Sequence, residues 1–409
     1  MKKRILSLGG ILISTLSFFA QCDNGRYHQK IFTNYTLESD VVYGSNVTYQ
    51  GAAQSLTMDI YQPDGDGTAP RALVVVAHGG SFITGSKTGP DVVGFCQDMA
   101  KMGYVVASIN YRLGFGIANL QAEATAAVMR GTQDLKAAIR YFRKSAAENG
   151  NPYNINPDLI YSAGVSAGGF CALHLAYLDQ PEELPSFLDM NATGIDNSME
   201  GLSGNAGYSS EINALVNICG ALGDTAWIHA GDEPAMLLHG TNDNTVPYGS
   251  AVLSLFGFAV TEVDGSYSIN QRMNEVNVEH CFEIHEGQDH VPSLSNEAYY
   301  DTTLSFMTQF LAKQICQYNF NCQYEPIVTN TPEIHTSVFH AYPNPAHTQL
   351  TLVGLTQAEE VMVYNAQGQW IQRMYFNPGE SVPVEQLPQG MYFLVSPLKT
   401  FETVTFIKE

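Results

Sequence analysis

The stretch LIYSAGVSAGG at residues 159–169 decides the fold of this chain. It is a short apolar run that leads into the pattern Gly-x-Ser-x-Gly, and residues 170–178 are compatible with a helix. This order predicts a sharp strand-to-helix turn with Ser166 at its tip, because flanking glycines tolerate strained backbone angles and leave the hydroxyl uncrowded. The helix dipole would favour negative charge beside it. Ser166 is therefore a candidate nucleophile, and the alternative is a tight turn with an inert serine.

Apolar runs on both sides of this turn predict a mostly parallel sheet. Residues 72–77 form an unbroken apolar run, as in a strand buried on both faces, and residues 104–109 predict another buried strand. Helical spacing follows them at 92–102 and 121–147, so that strands and helices alternate. An antiparallel edge is predicted at 41–43 and 56–61, further strands at 214–218, 235–238 and 281–284, and further helices at 270–278 and 299–315. The sequence therefore predicts an α/β fold.

The composition excludes some classes of partner. The chain has 409 residues and a formal net charge of −21, and 45% of its residues are hydrophobic. This length suits one large α/β domain with a smaller one, and the apolar content indicates a sizeable core. So acidic a surface argues against nucleic acid or an anionic membrane as a partner.

The N-terminus predicts export. The basic residues MKKR at 1–4 precede an apolar run at 5–20, which is too short for a convincing membrane span. We interpret residues 1–21 as a cleaved signal peptide. Lipid attachment at Cys22 is the lesser alternative, because Gln21 is a poor fit to a lipidation site.

Changes in composition divide the rest of the chain. Residues 22–322 are predicted to form the catalytic domain, in which the irregular segment 179–210 is either a plain surface loop or a cap over the site. A polar linker at 323–337 follows. Short alternating runs within residues 338–409 predict a small all-β sandwich.

Seven cysteines permit disulfides in an exported protein, and their odd number leaves at least one unpaired. Cys316 and Cys322 are close enough in sequence to form a local pair, but the connectivity cannot be deduced from the sequence. No C-x-x-C pair with a matching histidine set occurs, so a structural zinc site is not predicted. Neither an H-E-x-x-H motif nor a clustered carboxylate–histidine set stands out, so metal-assisted hydrolysis is not predicted either.

Acyl transfer by a serine needs a base and a carboxylate that holds this base. Asp243 follows the predicted strand at 235–238, and His290 follows the last predicted strand; strand ends of this kind form sites in open α/β sheets. The order serine, aspartate, histidine favours this pair. Asp224 and Asp289 compete for the acid role, and His285 competes for the base role.

Donors for the oxyanion are predicted in the segment His78-Gly79-Gly80-Ser81, after the first long apolar run. Glycines there allow backbone N–H groups to converge on one point. We expect the amides of Gly80 and Ser81 to donate, together with that of Ala167 directly after the serine. His78 is then a positioning residue.

These motifs together resemble the α/β-hydrolase superfamily, in its carboxylesterase and feruloyl-esterase-like branches. The resemblance covers about residues 50–315 and includes an Asn-Tyr-Arg segment at 110–112. It implies a serine carboxylic-ester hydrolase with Ser166 as nucleophile, Asp243 as acid and His290 as base, acting on short-acyl, aromatic or polymer-linked esters without a cofactor. Ser81 replaces a glycine often found after His-Gly-Gly, and this departure bears on the substrate.

The tail carries a second resemblance. The segments AYPNPA (341–346), VYNAQG (363–368) and LPQGMY (387–392) resemble the C-terminal sorting domain of the type IX secretion system of Bacteroidetes-type bacteria. This implies the secretion machinery as a partner and a secreted or cell-surface location. The alternative is a small carbohydrate-binding β module, which the single tryptophan of the tail, Trp370, disfavours.

Two other functions remain open at this point. A serine exopeptidase of the prolyl-oligopeptidase type would share the triad order, although such enzymes usually carry an N-terminal propeller. A non-catalytic binding protein could also use a hydrolase scaffold, although such proteins usually lose the serine or the histidine.

Overall fold

The computed structural model of the chain describes residues 22–67, 70–255, 257–323, 340–355, 357–366, 369–396 and 403–409. The predicted signal peptide and nearly all of the predicted linker lie outside these residues. The chain divides into two compact units, residues 1–329 and residues 330–409. None of the helices in the described ranges combines the length and apolar character needed to cross a membrane.

The first unit alternates strands and helices as the sequence predicts. Its strands are β1 (Tyr35–Val47), β2 (Ala53–Pro63), β3 (Arg71–Ala77), β4 (Val105–Ile109), β5 (Ile155–Val165), β6 (Leu215–Ile218), β7 (Ala221–Leu222), β8 (Ala235–Gly240), β9 (Ser250–Leu255), β10 (Phe258–Gly265) and β11 (His280–His285). Its helices are α1 (Val93–Lys101), α2 (Leu120–Glu148), α3 (Ala167–Tyr177), α4 (Ser266–Val276) and α5 (Glu297–Cys316).

Eight of these strands form one sheet in the order β1-β2-β4-β3-β5-β6-β8-β11. The β1–β2 and β2–β4 pairs are antiparallel, and the pairs from β4 to β11 are parallel. The predicted α/β-hydrolase fold, with an antiparallel edge on a mostly parallel sheet, is therefore confirmed.

Both faces of the sheet are covered, which explains the unbroken apolar runs. Along β3, Leu73, Val75 and Ala77 face one core, and the alternate residues face the other. Helices α2, α3 and α4 pack on the first core, and α1 and α5 pack on the second. Residues at the carboxyl ends of the parallel strands consequently meet along one edge between these layers.

A buried ion pair fixes helix α2 to the segment after β4. Arg112 Nη2 lies 2.9 Å from Asp134 Oδ1, and both side chains are fully buried. Asp134 also accepts hydrogen bonds from the Arg112 backbone N–H at 2.8 Å and from the Ser203 hydroxyl at 2.6 Å. The arginine of the Asn-Tyr-Arg segment therefore has a structural role, since it holds helix α2 in place.

The first unit also contains a second, smaller sheet, which was not predicted from the sequence. Strands β9 and β10 form an antiparallel hairpin, and β10 also pairs with the short strand β7. All six residues of β9 are exposed or half-buried, so this segment shows neither a buried run nor strict alternation. Helix α4 begins directly after β10, four residues before the predicted start at Asn270. The true start was not predicted because its N-cap is Gly265, which carries no capping side chain.

The structure settles the disulfide connectivity, which the sequence left open, and Cys316 and Cys322 are not paired with each other. Cys22 is bonded to Cys316, and Cys281 is bonded to Cys322. The two residues are close in sequence but bond to different elements, because Cys316 is the last residue of α5 whereas Cys322 lies against β11. The bond from Cys22 also leaves its sulfur unavailable for a lipid. Three further cysteines, Cys96, Cys171 and Cys219, are unpaired and buried.

The second unit consists of two small antiparallel sheets. Their strands are β12 (His340–Tyr342), β13 (Gln349–Val353), β14 (Glu359–Asn365), β15 (Trp370–Phe376), β16 (Ser381–Pro383), β17 (Gly390–Val395) and β18 (Val404–Lys408). One sheet has the order β12-β13-β16 and the other β15-β14-β17-β18. Leu350 from the first sheet packs in one core with Val363 and Phe406 from the second. The prediction of a small all-β sandwich agrees with this arrangement.

Candidate active site

Ser166 stands at the turn between β5 and α3. It is the N-cap residue of α3 and has a φ of 53° and a ψ of −116°, a conformation that few non-glycine residues adopt. Neighbouring glycines permit this turn: a Cβ atom on Gly164 would lie 2.0 Å from the Gly168 oxygen, and one on Gly168 would lie 2.0 Å from the Ala77 oxygen. The Gly-x-Ser-x-Gly pattern is thus explained by close backbone contacts on both sides of the serine.

Ser166, His290 and Asp243 lie in a hydrogen-bonded row. His290 Nδ1 is 2.6 Å from Asp243 Oδ2, and His290 Nε2 is 2.8 Å from Ser166 Oγ. Because an ionised carboxylate can only accept, Nδ1 carries the proton, and Nε2 of the neutral ring accepts the serine hydroxyl. The structure therefore brings the three predicted residues together in the order that general-base activation of a serine requires.

The carboxyl group of Asp243 is held in its ionised form. Its Oδ1 accepts the backbone N–H groups of Thr245 and Val246, each at 2.8 Å. Burial opposes ionisation, but hydrogen bonds from His239 and His290 outweigh it and hold the pKa of Asp243 well below its usual range. The carboxylate therefore remains charged at neutral pH.

A second histidine, His239, also contacts Asp243 and was not predicted from the sequence. Its Nε2 lies 3.2 Å from Asp243 Oδ2 and 3.2 Å from the Val246 oxygen. Both oxygens only accept, so Nε2 carries the proton, and Nδ1 accepts the Ser266 hydroxyl at 2.8 Å. Ser266 in turn accepts the Asn217 amide at 3.1 Å. In the sequence, a polar histidine within the apolar run of β8 could have indicated this role.

The competing candidates lie elsewhere or have other tasks. Asp289 is exposed, and its Oδ1 accepts the backbone N–H groups of Asn244 and His290, which fixes the loop that carries the histidine. Asp224 caps a short helical turn through Ala226 N–H. His285 is buried beside Tyr299, and burial lowers its pKa to about 4. None of the three makes a hydrogen bond to the Ser166 hydroxyl among the described residues.

A cavity of about 270 Å³ opens beside Ser166. One wall is a stripe of α3 that continues just past its end, formed by Ala167, Phe170, His174 and Leu178. The missed hairpin forms another wall with apolar residues of β9 and β10, and helix α2 contributes a third. The lining is mostly aliphatic and aromatic, so the cavity suits an apolar group attached to the reacting carbon.

The segment 179–210 is divided between two tasks. Residues at its start, including Glu183, Phe187 and Leu188, line the cavity. Farther along, the oxygens of Gly194 and Ile195 accept hydrogen bonds from side chains on the body of the domain. The segment is thus anchored at its middle and forms a wall of the cavity at its start.

Two of the three predicted oxyanion donors lie at the cavity beside the serine. Ser81 and Ala167 line the cavity with Ser166, whereas Gly80 does not. Gly80 has a φ of 115°, and its oxygen accepts the Ile83 and Thr84 amides. Among the described residues, no acceptor takes the N–H group of Gly80, Ser81 or Ala167. The amides of Ser81 and Ala167 are consequently available to a bound oxygen beside the serine.

His78 braces this loop from behind. Its ring stacks on Tyr111 with centroids 4.4 Å apart, and the Tyr111 hydroxyl donates to the His78 oxygen at 2.8 Å. The N–H group of Gly79 donates to Asp91 at 2.6 Å. A Cβ atom on Gly79 would lie 3.2 Å from the Ser166 Cβ, so the loop passes directly beside the serine.

One group of metal-ligating side chains comes together within the described ranges. Cys219, Asp243 and His290 offer a sulfur, an oxygen and a nitrogen within 4.8 Å of one another. Two of the three already share the hydrogen bond of the serine–histidine–aspartate row. Burial also raises the pKa of the Cys219 thiol to about 12, which keeps the thiol protonated at neutral pH.

Comparison with known proteins agrees with both resemblances. Residues 58–227 match the family model BD-FAE, an esterase-like α/β-hydrolase domain. Residues 340–406 match the model of the secretion system C-terminal sorting domain. None of the curated proteins matches the chain.

Solved structures of esterases are also similar. Esterase 2 of Thermogutta terrifontis with bound propionate is 23% identical, with a TM-score of 0.47, and covers 68% of this chain and 93% of its own. The same esterase phosphonylated by cyclosarin gives the same values. A truncated carbohydrate esterase from gut microbiota is 22% identical, with a TM-score of 0.46, and covers 70% of this chain and 98% of its own.

Proposed function

We propose that this chain, which combines an esterase-like α/β-hydrolase domain with a secretion-sorting tail, is a secreted serine carboxylic-ester hydrolase. The observation that carries the proposal is the row from Ser166 Oγ through His290 to Asp243, with contacts of 2.8 Å and 2.6 Å. A serine activated in this way attacks an ester carbonyl and forms an acyl-enzyme.

The acylation step uses the side chains in fixed roles. Ser166 Oγ bonds to the carbonyl carbon as its proton moves to His290 Nε2. Asp243 stabilises the imidazolium through Nδ1, and the Ser81 and Ala167 amides stabilise the oxyanion, with Gly80 as the third predicted donor. When the carbon–oxygen bond breaks, His290 returns the proton to the leaving alcohol.

Deacylation reverses these roles with water. His290 Nε2 accepts a proton from a water molecule, whose oxygen attacks the acyl carbon, and the proton then returns to Ser166 as the acid leaves. Every proton is carried by groups on this chain, so no cofactor is required.

The cavity supports an apolar acyl group as the preferred part of the substrate. Its lining of aromatic and aliphatic side chains favours apolar groups, because their transfer from water into such a cavity is favourable. Aromatic esters and medium-length aliphatic esters both fit this description, and an exported enzyme has access to such groups on polymers.

A fluorophosphonate probe tests whether the site is active as a serine hydrolase. We expect one equivalent to label the full chain, with the modified tryptic peptide containing Ser166, because the activated serine displaces the fluoride. In a separate assay, we expect the unlabelled chain to cleave methyl esters and not the matching N-methyl amides. Absence of labelling would favour a non-catalytic binding protein, and comparable cleavage of dipeptide substrates would favour an exopeptidase.

The second histidine on Asp243 supports a prediction about activity. We expect His239→Phe to lower kcat/KM for p-nitrophenyl butyrate by about tenfold, because Asp243 loses one donor in a dry environment. His239→Gln should retain more activity, since its amide can donate from the position of Nε2. Equal rates for wild type and His239→Phe, at equal content of folded protein, would show that His239 does not position the aspartate.

The tail supports a prediction about location. We expect a chain that ends before residue 340 to be retained within the cell, in the compartment enclosed by the outer membrane of the native host. The full chain should reach the cell surface or the medium. Cell fractionation with an antibody against residues 22–322 measures this. Equal export of both chains would contradict a sorting role for the tail.

A further inference from the structure

The loop that carries the predicted oxyanion donors is a turn closed on itself. The Gly80 oxygen accepts the N–H groups of Ile83 and Thr84, and since a peptide unit is planar, the Ser81 N–H group points the opposite way. These bonds fix the amide within the turn, but they do not fix the turn against the serine. An oxyanion donor must also be held at the correct place relative to Ser166.

The turn is anchored at the peptide unit between His78 and Gly79. The Tyr111 hydroxyl donates to the His78 oxygen at 2.8 Å, and the Gly79 N–H group donates to Asp91 Oδ2 at 2.6 Å. Side chains from other parts of the chain therefore hold both ends of one planar unit. The N–H end depends on Asp91, because among the described residues no other acceptor takes this group.

Asp91 is itself held in place. It is half-buried two residues before α1, and a Cβ atom on Gly89 would lie 2.4 Å from its Oδ1, so the turn before this helix closes tightly on the carboxylate. The Gly89 oxygen accepts the N–H groups of Val92 and Val93, which joins the same turn to the start of α1. The carboxylate is consequently a fixed acceptor.

Gly79 lies between this carboxylate and the serine. A Cβ atom on Gly79 would lie 3.2 Å from Asp91 Oδ2 and 3.2 Å from the Ser166 Cβ. Gly79 and Gly80 have no side chains that restrict the backbone, so the turn can swing when its anchor is lost. A swing at Gly79 displaces the Ser81 amide, which follows only two residues later.

From these contacts we infer that Asp91 is a positioning residue for the oxyanion donors: it accepts the Gly79 N–H group and thereby holds the Ser81 amide at its place beside Ser166. The inference rests on the proposed function, because that function places an oxyanion beside the serine. Asp91 does not line the cavity. A negative charge near a developing oxyanion is in itself unfavourable, so the benefit comes from the position of the acceptor and not from its charge.

Three variants separate the position of the acceptor from its charge. Asp91→Ala removes the acceptor, and we expect kcat for p-nitrophenyl butyrate to fall by about 10- to 100-fold, somewhat less than when a donor itself is deleted. Asp91→Asn keeps an oxygen at the place of Oδ2 and should stay within about threefold of wild type. Asp91→Glu keeps the charge but moves it by one methylene, so its loss should approach that of Asp91→Ala. KM should change little, because the contacts of the bound substrate are untouched.

Asp98 provides a matched control. It lies on α1, is half-buried like Asp91, and accepts the Tyr300 hydroxyl at 2.9 Å. Among the described residues it makes no hydrogen bond to the loop at 78–81. We expect Asp98→Ala to leave kcat unchanged at equal content of folded protein.

Inhibitor binding reports on the oxyanion directly. With trifluoromethyl hexyl ketone, Ser166 Oγ bonds to the carbonyl carbon, its proton moves to His290 Nε2, and the carbonyl oxygen becomes an oxyanion. Methyl hexyl ketone binds as the planar ketone and serves as the reference. The preference for the first ketone should fall in Asp91→Ala and Asp91→Glu by the same factor as kcat, because both depend on the tetrahedral state, and should persist in Asp91→Asn. Each preference compares two ketones on one preparation, so any loss of folded enzyme cancels.

The inference and the proposed function fail in different ways. A wild type that neither cleaves the ester nor prefers the trifluoromethyl ketone contradicts the proposed function, and the role of Asp91 falls with it. An active wild type whose ketone preference is unchanged in Asp91→Ala overturns the inference alone. Equal losses in Asp91→Asn and Asp91→Ala also overturn it, because the charge would then be responsible. If Asp91→Ala does not fold, Asp91→Glu decides: a wild-type preference in this variant overturns the inference.

Discussion

Replacement of Ser166 by alanine is expected to lower kcat for p-nitrophenyl butyrate by about 10⁵–10⁶-fold, the loss seen when a serine nucleophile is removed from such a triad. The reason is that His290 then has no oxygen to activate, since its Nε2 contacts the serine hydroxyl at 2.8 Å. Stopped-assay hydrolysis with purified full-length chain measures the effect.

Ser162 provides a matched control. It lies on the same strand, β5, is fully buried, and its hydroxyl has no hydrogen-bond partner among the described residues. We expect Ser162→Ala to keep kcat within a few-fold of wild type. If Ser166→Ala and Ser162→Ala both kept the activity of wild type, another nucleophile would perform the reaction.

The largest expected effect on stability comes from Asp134. Replacing it by alanine removes the partner of Arg112 while the guanidinium remains fully buried. We expect the free energy of unfolding of the first unit to fall by about 3–5 kcal/mol, because an uncompensated charge is left in the interior. Urea denaturation followed by Trp227 fluorescence in a Trp370→Phe background reports on this unit alone.

An exposed ion pair in the same unit is the control. Arg272 Nη1 lies 3.5 Å from Glu275 Oε2, and the Glu275 side chain is 68% exposed. Glu275→Ala should change the free energy of unfolding by less than about 1 kcal/mol, because water screens such pairs. Similar losses in both variants would show that burial does not govern the contribution of Asp134.

The sheet and the serine turn could be predicted because their signals are local. An unbroken apolar run such as residues 72–77 reflects burial on both faces of one strand. Gly164 and Gly168 flank Ser166 directly, and their close backbone contacts require glycine. Asp243 and His290 could be predicted from chain order and from their positions after strands, and in the structure His290 contacts Ser166 while Asp243 contacts His290.

Features that depend on contacts between distant elements could not be read in the same way. His239 acts on Asp243 only because Ser266, from another element, fixes its ring. The hairpin of β9 and β10 forms a cavity wall although its exposed sequence lacks a strand pattern. The cysteine pairs depend on distances in space, so the closeness of Cys316 and Cys322 along the chain could not establish the connectivity.

The two disulfides have a consequence for the timing of maturation. Cys22 is joined to a residue 294 positions later, and Cys281 to one 41 positions later. Neither bond can close until nearly the whole hydrolase unit has been synthesised and has reached an oxidising compartment. In the newly synthesised chain the N-terminal segment is therefore not yet joined to helix α5, and the bond between them forms only once the chain is in an oxidising compartment.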